Sequence, residues 1–250
     1  MSWLPGALKE YLRYAPTLLT EVVDWKSMSQ ELATLSRQLL NGTGADHTRS
    51  SLAPRLPKRL RFGDAHRTTE LKDQEKQELG DLILELYFTQ VLGAGPFFLD
   101  LRVHKFSQAS GDWLWEPGDL WGEFSPAFSR GLRDLYQGFY GEDRVLFQRG
   151  LVETGLVHTD WPETDKNEME RLFRAYFGGT AGPVAFSLEH FQKSFQDVFR
   201  LMMTKKARLG SDFLLLGMML VTLYVALEEL GRSHDVGPLY RKALSHHSPT

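Results

Sequence analysis

Cysteine is absent from this 250-residue chain. That absence excludes disulfides, zinc–thiolate sites, iron–sulfur clusters and cysteine nucleophiles, and it leaves the compartment open. A dominant charge is missing too. The 29 Lys and Arg nearly balance the 32 Asp and Glu, for a net charge of −3, so no global field gathers nucleic acid or an anionic membrane. Long apolar runs are scarce. The longest, Phe213 to Leu227, is interrupted by Gly217, Thr222 and Tyr224 and bounded by Asp212 and by Glu228 and Glu229. A spanning helix needs about 20 apolar residues, so this run reads as a core helix. The opening MSWLPGALKEYLRYAP lacks the cationic start, apolar centre and small-residue cleavage site of a secretory signal. The expectation is an intracellular chain, soluble or peripheral to a membrane, with its compartment unspecified.

Catalytic motifs are also missing. The sequence has no Gly-x-Ser-x-Gly elbow, no Gly-x-x-x-x-Gly-Lys-Ser/Thr loop and no Gly-x-Gly-x-x-Gly after a strand. The glycine-rich Gly178–Gly182 stretch follows a helix and leads into Pro183, which reads as an inter-helix connection. Of eight histidines, His47 and His66 fall in a loop-like stretch, and His104, His158, His190 and His234 are isolated. His246 and His247 close the chain in a polar tail. None stands at the i, i+4 spacing of a helical metal site, so neither a metal nor a cofactor is expected.

What is present is a folded composition, 42% hydrophobic and 24% charged, patterned for helices. Pro5 opens one helical stretch, and a second runs from Pro16 to Leu40 before the Asn41-Gly42 stop. Periodicity vanishes from Thr43 to Thr69, where Pro54 and Pro57 mark a loop or linker. Asp73 then caps a helix with Leu79, Leu82, Ile83, Leu86 and Val91 on its apolar side, ended by Gly93 and Gly95. Pro96 to Trp121 reads as a small β-hairpin turning at Ser110-Gly111-Asp112. Helices are expected near 126–140, 142–156, 164–177, 187–208 and 212–231, with Ser125 and Ser187 as caps. The fold class is therefore mainly α, a single helical domain with a short hairpin: N-terminal helices over 1–42, a loop over 43–72 and the helical body over 73–250.

Three groups invite a chemical reading. Arg49, Arg55, Lys58, Arg59, Arg61 and Arg67 form a basic cluster in the long loop. Asp64 and Glu70 dilute it and only Phe62 supplies an aromatic ring, so it suits solvent or an acidic partner better than nucleic acid. Asp112 and Asp119 fit turn and cap roles. Asp100 stands out because it interrupts an apolar run, where an acid is costly unless partnered. Trp113, Trp115, Trp121 and Trp161, in hairpin- or loop-like stretches, are candidates for an exposed partner surface.

The stretch LELYFTQVLGAGPFFLDLRVHKF (84–106), then Gly111-Asp112, WLWEPGDLWGEFSPAF, GLRDLYQGFYGEDRVLFQRGLVETGLV and SDFLLLGMMLVTLYVALEEL, resembles the UbiB/AarF atypical-kinase family of ubiquinone biosynthesis over about residues 80–235. The likeness is one of pattern and order. It implies a protein-kinase-like C-terminal lobe, with Asp100 on the catalytic aspartate and Asp119, in a shifted alignment, on the metal aspartate. The departures imply lost activity. Phe98 occupies the neighbouring histidine position, Lys105 the metal-binding asparagine position, and Pro117-Gly118-Asp119 the Asp-Phe-Gly site. No nucleotide loop or strand lysine precedes them. The resemblance thus implies a non-catalytic, pseudokinase-like binding or structural subunit with protein partners, in a membrane-associated assembly or in contact with lipid. The competing readings are a residual ATP-dependent phosphotransferase using Asp100 and Asp119, and an isoprenoid or lipid carrier whose cavity is lined by Phe213 to Leu227.

Overall fold

The computed structural model describes residues 22–42, 44–65, 70–177 and 182–246, with the side chains of residues 176 and 177 outside that description. The helix expected from Pro5, the first residues of the one expected from Pro16, and Gly178, His66, Arg67 and His247 lie outside the described residues. Among these residues nine α-helices dominate: α1 (Trp25–Asn41), α2 (Ala45–Leu52), α3 (Asp73–Leu92), α4 (Pro126–Tyr140), α5 (Arg144–Glu153), α6 (Glu163–Phe177), α7 (Leu188–Thr204), α8 (Ser211–Leu230) and α9 (Val236–Ser245). The protein is mainly helical, built on one continuous apolar core.

Local chemistry sets most boundaries where expected. Ser125 and Ser187 each accept a first-turn amide, from Phe128 and His190, as free N-terminal donors require. Within the stretch expected to be helical from Pro16, α1 begins at Trp25: Asp24 accepts the Lys26 amide, and Val23 forms an isolated bridge with Leu209, flanked by backbone bonds from Leu209 to Val22 and from Asp24 to Leu209. Asp73 does not cap α3. It is the first helical residue, ion-paired with Arg232, and Glu75 accepts the Lys72 amide at 2.7 Å. Helix α9 lies in a stretch with no helix expectation. Its small apolar face, Tyr240 and Ala243, is buried, and packing on α3 stabilises what propensity alone would leave marginal.

The stretch from Thr43 to Thr69, read as a loop, contains α2, a 3₁₀ turn (Ala53–Arg55) and strand β1 (Leu60–Phe62). Leu52 and Leu60 reach the core, so single anchoring side chains, too few to make a period, organise this segment.

The hairpin exists but is shifted along the chain. Its strands are β3 (Phe106–Ala109) and β4 (Asp112–Trp115), joined by Ser110 and Gly111 with φ of 51° and 87°. Two positive-φ residues make the primed turn whose twist suits two-residue hairpins. Strand β1 joins β4 in parallel. Phe97–Phe98 (β2), read as part of the hairpin, instead pairs antiparallel with Trp121–Gly122 (β5). Val184–Ala185 (β6) pairs with Ser233–His234 (β7).

Helices α4 and α5 pack backbone on backbone. A Cβ on Gly138 would fall 2.3 Å from the Phe147 nitrogen, and one on Gly150 would fall 2.6 Å from that of Leu135. Helix α8 is long and apolar enough to span a bilayer, yet 72% of its most apolar stretch is buried within the fold. It is the core helix its interruptions suggested.

Candidate functional site

Asp100 sits just past β2, between the helix that precedes the strand and the helix that closes the core. Gln90 of α3 accepts the Phe98 amide at 2.8 Å, and the Leu99 amide donates to the Leu120 carbonyl at 3.1 Å. Thr222 supplies the remaining partners from α8: its hydroxyl accepts the Leu101 amide at 3.2 Å and lies 2.8 Å from the Leu99 carbonyl. The polar interruption of the apolar helix thus satisfies the backbone on both sides of Asp100.

The Asp100 carboxylate is 4% exposed. Arg102 grips it at two points, Nε to Oδ1 at 2.9 Å and a terminal nitrogen to Oδ2 at 2.7 Å, and the Arg102 amide also donates to Oδ1 at 3.1 Å. Burial pushes this carboxyl up, but the Arg102 bonds and charge, with Lys105 behind them, outweigh it and hold the group below the ordinary aspartate range. Burial pushes the neighbouring His104 imidazole down.

Asp119 lies one residue before Leu120 on the facing strand segment and is exposed. The fold therefore brings the Asp100 and Asp119 backbones to adjacent segments but gives the carboxylates opposite surroundings, one locked and dry, the other solvated. Lys105 reaches across this space; its ammonium is 3.6 Å from where a Gly118 Cβ would lie. Asp112 is ion-paired with Arg61 at 2.9 Å. Among the described residues, no group of three His, Asp or Glu side chains converges as a metal site would require.

Other expectations are corrected. Trp113, Trp115 and Trp161 are buried and fill the core, whereas Trp121 is half-buried against Gly44 and stays partly exposed. In the β-sheet, Trp115 stacks on Phe62 and Phe106. The basic cluster keeps its solvated character: Arg49 faces Asp46, Arg59 faces Glu78, Arg61 faces Asp112 and Arg55 bonds the Ser51 carbonyl, but the Arg59 and Arg61 side chains stay mostly exposed and Lys58 is exposed. His234 is fully buried, its Nδ1 2.7 Å from Asp81 and its ring against Gly80.

Two cavities lie among the described residues, the first of them beside the apolar run to which the carrier reading assigned one. One, of about 210 Å³, is walled by Tyr87 and Phe88 of α3, Tyr136 and Tyr140 of α4, Phe186, His190, and Leu220, Leu223 and Tyr224 of α8. The Tyr87 and Tyr136 hydroxyls are hydrogen-bonded to each other, and Tyr140 stacks on Tyr240 at 4.5 Å. Burial pushes the Tyr87, Tyr136 and Tyr140 phenols up, and Tyr240 up to about 12, so all remain neutral donors at physiological pH. The other, of about 240 Å³, is polar and lined by Lys58, Arg59, Glu78, Asp81, Glu85 and Lys242. Its buried Glu85 is held by Lys242 at 2.6 Å. The sequence signal for the first cavity is the apolar run Phe213 to Leu227, from which Leu220, Leu223 and Tyr224 line it; the tyrosines of α3 and α4 that complete its wall carry no such signal.

Compared with known sequences, the chain matches no family model and no curated protein.

Proposed function

We propose that this protein is a non-catalytic binding subunit whose scaffold resembles the C-terminal lobe of the UbiB/AarF kinases. One observation carries the reading: Asp100, the position on which that resemblance lays the catalytic aspartate, is closed by a two-point ion pair with Arg102. A catalytic base must reach a substrate hydroxyl, and phosphoryl transfer depends on metal-held positioning. A dry carboxylate whose oxygens both face a guanidinium does neither, and Lys105 adds positive charge where a divalent cation would be repelled. These features count against residual phosphotransfer through Asp100 and Asp119. The test is a melting series with MgATP and a search for labelled phosphate on protein or small-molecule acceptors. Unchanged melting and no transfer are expected; MgATP stabilisation with turnover overturns the reading. Native mass spectrometry of the protein from its own source tests the subunit role, with other polypeptides in the observed mass as the supporting result.

A second reading, a carrier of an isoprenoid or other apolar molecule, is favoured by the aromatic cavity. Leu220, Leu223 and Tyr224 of the Phe213–Leu227 run do line a cavity. Its volume limits the cargo. An engineered cavity of about 150 Å³ accommodates benzene, so about 210 Å³ holds one ring with a short substituent. A polyisoprenoid would seat only its end.

A further inference from the structure

The polar cavity of about 240 Å³ has two orphaned polar atoms among the side chains that line it. Trp113 is 1% exposed, and its indole Nε1 is buried without a hydrogen-bond partner. An indole N–H can only donate, so this atom needs an acceptor. Glu85 is 2% exposed. Its Oε2 takes the Lys242 ammonium at 2.6 Å, but its Oε1 is buried and accepts no hydrogen bond, with the His246 imidazole 3.5 Å away. An ionised carboxylate can only accept, so this atom needs a donor. Buried donors and acceptors are costly when unpaired.

The charges around the cavity pair off until one of each sign remains. Arg59 faces Glu78, and Lys242 faces Glu85. Lys58 is exposed and has no ion pair among the described residues. Asp81, one turn before Glu85 on α3, has no lysine or arginine partner; it meets the His234 ring and the Gln77 amide, both through Oδ1. An anion in this space would face Glu78, Asp81 and Glu85, and a cation would face Lys58, Arg59 and Lys242. A molecule with one charge of each sign answers both ends and adds no net charge. Leu82, Leu239 and the Trp113 ring supply an apolar wall beside it.

We propose that this cavity binds a small zwitterion, an amino acid with a short aliphatic side chain. Its carboxylate takes the Trp113 indole N–H and the Lys58 ammonium, and its ammonium donates to Glu85 Oε1 and Asp81. The proposal depends neither on the kinase resemblance nor on the aromatic cavity.

Three compounds of one carbon skeleton test it by titration calorimetry on the full chain: norvaline, pentanoate, which lacks the amino group, and butylamine, which lacks the carboxylate. Norvaline should bind at least about tenfold more tightly than either, the worth of hydrogen bonds to a charged group. Lys58→Met, at an exposed position, should weaken norvaline and pentanoate but not butylamine. Glu85→Gln should weaken norvaline and butylamine but not pentanoate. Pentanoate binding as tightly as norvaline makes this a plain carboxylate site, and butylamine doing so makes it a plain amine site; either overturns the zwitterion. A norvaline preference that survives both substitutions places the binding elsewhere and overturns the proposal. No binding of any compound leaves the two orphaned atoms to water and overturns the site itself. The comparison of ligands on the unaltered chain does not depend on any variant folding.

Discussion

The Thr222 hydroxyl lies 2.8 Å from the Leu99 carbonyl, and it also accepts the Leu101 amide. These residues are more than 120 positions apart in sequence, and the contact pins α8 to the segment that presents Asp100. Thr222→Val keeps the volume and removes the bonding group, leaving two buried backbone groups without their partner. The expected loss is about 2 kcal/mol, a melting point about 4–8 °C lower, measured by calorimetry.

Asp100 should govern acid stability. Its folded value is depressed, so the stability it contributes is present above the unfolded aspartate value near 3.9 and is lost as pH falls through the lower folded value. Urea unfolding of wild type and Asp100→Asn should therefore differ most above about pH 4 and converge toward pH 2. Arg102→Met, which strands the buried carboxylate, should cost about 3–5 kcal/mol at neutral pH.

Glu85 and Lys242 tie α3 to α9 through a carboxylate that is 2% exposed. Lys242→Met alone should destabilise by about 3 kcal/mol because it leaves the buried carboxylate with only the His246 imidazole, 3.5 Å from its other oxygen, whereas Glu85→Leu with Lys242→Met should be near neutral. A double-mutant cycle by chemical denaturation reads the coupling directly. Independent, additive losses would count against the pair as the tie.

Two glycines in helices should respond with opposite signs. Gly138→Ala drives a methyl into the Phe147 backbone, and with neither helix able to yield, a loss of about 3 kcal/mol is expected. A Cβ on Gly217, within α8, meets nothing within 4 Å, so Gly217→Ala should stabilise by up to about 1 kcal/mol through helix propensity. Thermal melts of the two variants suffice.

Several parts of the fold were legible beforehand because they depend on neighbours in sequence. The caps at Ser125 and Ser187, the Pro126 start of α4 and the three–four spacing of α7 act within one or two helical turns. The primed turn at Ser110-Gly111 was legible as a turn for the same reason. The misplaced features are those whose partners are remote. Phe97 and Phe98 look like half of a hairpin until Trp121 and Gly122 pair with them, and Trp113 and Trp115 look available until the sheet and its rings cover them. The stretch from Thr43 to Thr69 gains structure through isolated anchors, Leu52 and Leu60, that no periodicity announces.

The same division holds at the candidate sites. The sequence by itself determined that Asp100 needs a partner, because an acid within an apolar run is costly without one, and it supplied Arg102 two residues away. Only tertiary structure decided that the arginine closes on both carboxylate oxygens while Asp119 stays in water, since that depends on which segment is buried beneath α8. The aromatic wall of the cavity beside α8 is tertiary throughout. Tyr87, Tyr136 and Tyr224 come from three helices, and no local rule places hydroxyls from separate helices together. Their meeting is set by how α3, α4 and α8 pack, so the rings and the space beside them arise from the same contact.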